Sequence, residues 1–209
     1  MQDYSFIYKK AKKISISKFK TLVGPDIVKE GFKIKDRLIS DFLSHPVTVE
    51  INNGPTSLTN PSETLGNSYG NLYSFIGFKQ GTDPIRPILD ILLLIDIRLI
   101  QVGDNLSIKT FGFPTSQKIW DATPMPRQEG RSWAKGIEEG ISGLNYYLFS
   151  SSKSFPKSES GTAIQLRDRI SSGLRFERKS YISKLLNKYK SLFKNLGRTK
   201  ALPTQLFFE

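Results

Sequence analysis

The chain has no cysteine and only one histidine among its 209 residues, and just two methionines and two tryptophans. Without cysteine there can be no disulfide, no thiolate metal site and no thiol nucleophile, a composition that fits a reducing cytoplasm. The lone His45 precedes Pro46 at the expected end of a helix. With no second histidine to share a metal, it reads as a local contact. No stretch approaches the roughly 18 apolar residues that span a bilayer; the most apolar run, 85–100, is broken by Arg86, Pro87, Asp90, Asp96 and Arg98. The N-terminus carries Asp3 and then lysines with no apolar signal core, so a soluble protein without a cleaved export signal is expected. HExxH and GxSxG are missing, and Gly54, Gly66 and Gly70 are not followed by the Lys-Ser/Thr of a phosphate loop. No spacing selects a catalytic set from Glu50, Asp83, Asp90, Asp96 and Asp104. Glu138 and Glu139 diverge by about 100° on a helix and read as a solvated face. Neither enzymatic activity nor a cofactor or metal site is expected.

What the chain does have is positive charge, unevenly placed. Of the net +12, residues 1–20 contribute +5 and residues 151–209 contribute +9, while 21–150 sum to −2. Five segments follow: a basic arm at 1–20, a core domain at 21–150, a flexible Ser-rich connector at 151–162, a basic segment and helix packed on the core at 163–196, and a tail at 197–209. Tyr4, Phe6, Ile7 and Tyr8 precede Lys9, Lys10, Lys12 and Lys13. Aromatics beside lysines suit nucleic acid, where rings stack on bases and ammonium groups meet phosphates; an extended arm docked on a neighbouring subunit suits the same residues. Ile14–Ser17 alternates like a short edge strand.

The core is expected to form around 83–113. Asp83-Pro84 is a helix start, and Ile85, Ile88, Leu89, Leu92 and Leu93 recur at helical spacing. From Asp96 the period becomes two, with Gly103-Asp104-Asn105 as the turn of a β-hairpin. A long helix opens at Gly24-Pro25-Asp26 with Ile27, Ile34, Leu38 and Phe42 on one stripe and ends near Ser44. Val47–Ile51 and Leu72–Phe78 read as strands, and Lys118–Trp120 as a hairpin strand or its edge. The intervening 52–70 is a long Asn/Gly/Pro/Ser/Thr loop that suits a contact within an assembly. Ser132 caps a helix expected to reach Phe149, with Gly136, Gly140 and Gly143 along it for close backbone approach. Ser180 opens a last helix with Ile182, Leu185, Leu186, Tyr189, Leu192 or Phe193, and Leu196 as its apolar stripe and a lysine-rich back. The fold expected is therefore α+β: an antiparallel sheet with a long N-terminal helix, a Gly-containing middle helix and a C-terminal helix packed on it, and extended basic arms.

The order of these elements, the extended Phe176–Ser183 segment before the last helix, and the stretches Gly70–Phe78 and Gly130–Leu144 resemble the head–tail joining (neck, or tail-completion) proteins of tailed bacteriophages. The likeness covers residues 25–196. The chain is longer than the usual member and lacks a Gly-x-Leu-x-x-Ser-Ile strand motif. The resemblance implies a homo-oligomeric ring in the virion between portal or adaptor and tail proteins, assembled in the host cytoplasm. DNA would pass through its lumen without specific binding, with no catalysis and no membrane. Partner contacts are then expected at Lys9, Lys10, Lys12 and Lys13, at Gly66, Tyr69 and Asn71 of the loop, and at Phe207 and Phe208 of the tail. The alternative is a stand-alone basic nucleic-acid-binding protein, using Lys9–Lys13 and the basic face of 184–194.

Overall fold

A computed structural model describes residues 5–57, 59–65, 71–102, 105–126, 128–140, 147–148, 164–165 and 176–199. The fold is α+β. The helices are α1 (Ser5–Leu22), α2 (Gly24–Leu43), α3 (Pro46–Asn52), α4 (Leu72–Ile76), α5 (Arg86–Leu93), α6 (Ser116–Asp121), α7 (Trp133–Glu139) and α8 (Ile182–Thr199). The strands β1 (Asp96–Val102) and β2 (Asn105–Phe111), β3 (Pro124–Met125) and β4 (Gln128–Ser132), and β5 (Tyr147–Leu148) and β6 (Ile164–Gln165) pair as three separate two-stranded antiparallel ribbons. The chain forms two compact units. One contains Met1–Leu38, Leu94–Phe113 and Asn187–Glu209, the other Ile39–Leu93 and Pro114–Leu186, so the division falls within α2 and within α8.

In the first unit, the β1–β2 hairpin forms as its alternation requires, with Asp96 opposite Phe111 and Val102 opposite Asn105; turn residues 103–104 lie outside the described residues. Helix α2 buries Ile27, Ile34 and Leu38. Gly31 lets it approach the hairpin closely: a Cβ built there would lie 2.7 Å from Ile97 Cγ2. Tyr189, Phe193 and Leu196 of α8 are buried too, and Phe193 meets the Phe113 ring edge-on. Phe193 is thus the core residue, and Leu192 is exposed.

The expected extended arm and the edge strand at Ile14–Ser17 are instead part of the 18-residue α1. A helix satisfies its backbone groups internally, whereas a lone edge strand there would have no neighbour to pair with. Ile16 is buried and Ile14 exposed.

In the second unit, three expected strands are short helices. Val47–Ile51 lies in α3, where Pro46 sits in the first turn and His45 Nδ1 accepts from the Val47 N–H. Its buried residues Val47, Thr48, Glu50 and Ile51 do not alternate. Burial of one helical face here outweighs the β preference of the branched side chains. Leu72–Ile76 is α4, capped by Asn71 and ended by Gly77 in the left-handed region. Lys118–Trp120 lies in α6, capped by Thr115.

The middle helix starts at the expected Ser132 cap but stops at Glu139. Gly140 has φ +101 and a backbone path that no longer follows the helix; Gly143 lies outside the described residues. Helix α5 begins two residues after Pro84, with Asp83 Oδ1 accepting from the Ile85 and Arg86 N–H groups at 3.1 Å each. The unit's core is aromatic. Tyr181 is fully buried against Phe42, His45 and Trp133, and Trp133 meets the Phe78 ring edge-on. The connector 151–162, most of 163–170 and the tail after 199 lie outside the described residues.

Candidate functional site

The segment after α3 has the best-defined polar architecture in the second unit. Glu50 is fully buried on α3. Its Oε2 accepts from the Ser62 N–H at 3.1 Å and its Oε1 from the Leu72 N–H at 2.8 Å, so one carboxylate joins α3, the loop and the first turn of α4. Burial raises its proton affinity, and the bonds from Ser62 and Leu72 oppose that rise. Asn71 does the complementary work. Its Oδ1 accepts from the Ser74 N–H at 3.0 Å, while Nδ2 donates to the Pro55 and Ser57 carbonyls at 3.2 and 2.7 Å. Ser62 and Thr64 join their hydroxyls at 2.9 Å beneath the loop. The inner side (Ser62, Thr64, Leu65) is therefore buried, and Thr56, Thr59, Pro61 and Glu63 face outward. The loop is a ridge held from inside.

The segment leading into α8 is fastened in the same way. The Glu177 N–H donates to the Thr64 carbonyl at 2.7 Å and the Lys179 N–H to the Ile137 carbonyl at 3.1 Å, and Phe176 stacks on Phe75. Glu138, read from the sequence as part of a solvated face, is half-buried and accepts from both the N–H and the hydroxyl of Ser183, each at 2.6 Å. A carboxylate at that position satisfies free donors of the first turn of α8 and lies favourably at the helix dipole. His45 is the local contact its position implied. It caps α3, leans on the Tyr181 ring at 4.9 Å and bonds to the Ser180 backbone. Burial holds its pKa below the ordinary imidazole value. The Tyr181 hydroxyl bonds to Thr48 Oγ1 at 2.8 Å, and burial pushes the phenol's pKa up.

Four of the five carboxylates weighed as a catalytic set are separately engaged: Glu50 with the loop, Asp83 at the start of α5, Asp90 with Arg86 at 2.8 Å and Asp96 with Arg98 at 2.6 Å; Asp104 lies outside the described residues. Among the described residues no group of three or more His, Asp or Glu side chains is placed to hold a metal ion. Nor, among them, is any helix long and apolar enough to cross a membrane.

The expected partner contacts divide. Lys9, Lys10, Lys12 and Lys13 lie on α1, and the Lys13 side chain is exposed. Asn71 is 2% exposed, and its amide is engaged inside the chain with Pro55, Ser57 and Ser74. Gly66, Tyr69, Phe207 and Phe208 lie outside the described residues. Sequence reasoning missed Glu50 as the loop's anchor. Its position inside an apolar run, Val47–Ile51, was the available signal. No family model, no curated protein and no solved structure matches the chain.

Proposed function

We propose that the protein is a structural assembly subunit of the phage neck, or tail-completion, kind. In this reading it forms a ring that joins portal and tail and lets DNA pass. The kind of assembly rests on the resemblance of Gly70–Phe78, Gly130–Leu144 and the segment entering α8. The observation that carries a contact role is the internally pinned loop. Two buried side chains, Glu50 and Asn71, spend their polar groups on the backbone of Pro55, Ser57, Ser62 and Leu72, while Thr56, Thr59 and Glu63 face outward. A loop ordered before binding loses less entropy on docking, which is what a repeated subunit contact needs.

The test is mass in solution by light scattering, for the full chain and for Thr56→Lys/Thr59→Lys. A discrete multimer that the loop variant reduces to smaller species, with unchanged helical circular dichroism, is the expected result. A monomer at every concentration would overturn the homo-oligomeric ring. A second reading, stand-alone nucleic-acid binding, is favoured by the exposed Lys184, Lys190 and Lys194 of α8. It predicts duplex binding whose affinity falls steeply between low and moderate salt.

A further inference from the structure

Two of the three long helices, α1 and α8, carry no acidic residue. Their exposed sides differ. On α8 the buried stripe runs from Ile182 to Leu196 and takes up about 100° of the helix circumference. Lys184, Lys188, Lys190 and Lys194 are exposed and spread over about 160° of the remainder, with Asn187, Ser191 and Asn195 between them. The exposed Leu192 lies beside the buried stripe, outside the arc of the lysines. On α1 the exposed Lys13, Lys18 and Lys20 share their side with Ile14 and Leu22, 51% and 74% exposed. Helix α2 shows the mixture of signs usual for a solvated side: Lys29, Lys33 and Arg37 are interspersed with Glu30 and Asp36, and Glu30 lies 3.1 Å from Lys33 and 3.5 Å from Arg37. No carboxylate of α8 offsets its lysines in this way, and Glu138, which meets the start of the helix, accepts from the Ser183 N–H and hydroxyl.

We propose that the lysine side of α8 is a sequence-independent contact for the phosphate backbone of duplex DNA. Lys184 and Lys194 are about 15 Å apart along the helix axis. One strand of a duplex places a phosphate roughly every 3.4 Å along its axis, so four lysines over that length answer about four phosphates. Lysine is a point charge on a flexible stem and can follow a row of phosphates, and short amide and hydroxyl side chains suit phosphate oxygens. Tyr189 and Phe193 are buried, so they offer no ring on which an unpaired base could stack. A protein partner would call for an apolar centre, which the lysine arc does not have. Contacts of this kind hold DNA while letting it slide, so the proposal holds for a chain acting alone or for a ring through which DNA passes. It rests on the nucleic-acid reading above and adds the element and the chemistry that carry it.

The test follows binding by the full chain in fluorescence anisotropy across a salt series. The probes are two short duplexes of unrelated sequence and a glutamate homopolymer of equal charge. Both duplexes should bind equally well and more tightly than the homopolymer. Lys184→Gln/Lys188→Gln/Lys190→Gln/Lys194→Gln should weaken duplex binding about tenfold or more at moderate salt, and should make the slope of log affinity against log salt shallower by about 3 to 4. A control, Lys13→Gln/Lys18→Gln/Lys20→Gln/Lys29→Gln, removes the same charge from α1 and α2 and should change that slope by less than about 1. All eight lysines are exposed, so both variants keep the fold, which circular dichroism checks. No binding to either duplex would overturn the proposal together with the nucleic-acid reading. An equal or greater loss in the control would overturn the proposal alone, because net charge or α1 would then carry the binding. Preference for one duplex would overturn its sequence independence, and tighter binding of the homopolymer would make the occupant an acidic protein instead.

Discussion

Glu50 and His45 show how burial changes the chemistry of single side chains, in opposite directions. Glu50 has a raised pKa, chiefly from burial. Its folded form therefore holds a proton more tightly than its unfolded form, so ionised Glu50 subtracts from stability at neutral pH. That penalty fades as pH falls through the raised value toward the ordinary carboxylate range, about 4.3. Glu50→Gln removes the titration, so the wild-type chain should gain unfolding free energy relative to this variant as pH falls from 7 toward that range. A constant difference in urea titrations would refute the linkage. Glu50→Ala leaves the Ser62 and Leu72 N–H groups without their acceptor and should cost about 2–4 kcal/mol at pH 7.

His45 has a lowered pKa, also chiefly from burial. Its contribution is fully present above the ordinary value, about 6.5, and is lost as pH falls through the lowered one. His45→Asn keeps a cap for α3 and should flatten that acid-side loss in the same titrations.

At the scale of elements, the close contact between α2 and β1 decides the first unit's packing. Gly31 costs roughly 1 kcal/mol of helix propensity relative to alanine. In exchange, Ile97 packs where a Cβ would stand. Gly31→Ala should therefore lower stability by about 1–2 kcal/mol in spite of its better propensity, because Ile97 is buried and has little room to move. In an Ile97→Ala background the same change should cost about 1 kcal/mol less or become favourable. Thermal unfolding of the four chains in a double-mutant cycle measures this coupling, and additive effects would mean that the two residues do not oppose each other. The long helices and the hairpin are legible from periodicity, since α2 buries the predicted Ile27, Ile34, Leu38 and Phe42. The short helices are not. Over five to seven residues, Val, Ile and Phe fit a strand as well as one turn of helix, and only the caps at His45, Asn71 and Thr115 separate the two.

Across the whole molecule, charge and apolar exposure gather on one compact unit. The free first unit repels itself, so screening should help it. Adding about 0.5 M sodium chloride shortens the Debye length to roughly 4 Å and should raise the melting temperature of the isolated protein. A fall in melting temperature would show that attractive ion pairs dominate instead. The exposed pairs Arg86–Asp90 and Lys33–Glu30 contribute little that salt could remove.

The sequence by itself determined the α+β class, the stripes of α2 and α8, the hairpin of β1 and β2, the Ser132 cap and the basic character of both chain ends. Each is a local property, readable from the side chains of one segment. Only the tertiary structure decided that residues 5–22 are helical, that Glu50 and Asn71 hold the loop and that Glu138 caps α8. Those outcomes depend on which distant backbone groups need a partner once water is excluded. That demand arises from packing and has no counterpart in the spacing of residues along the chain.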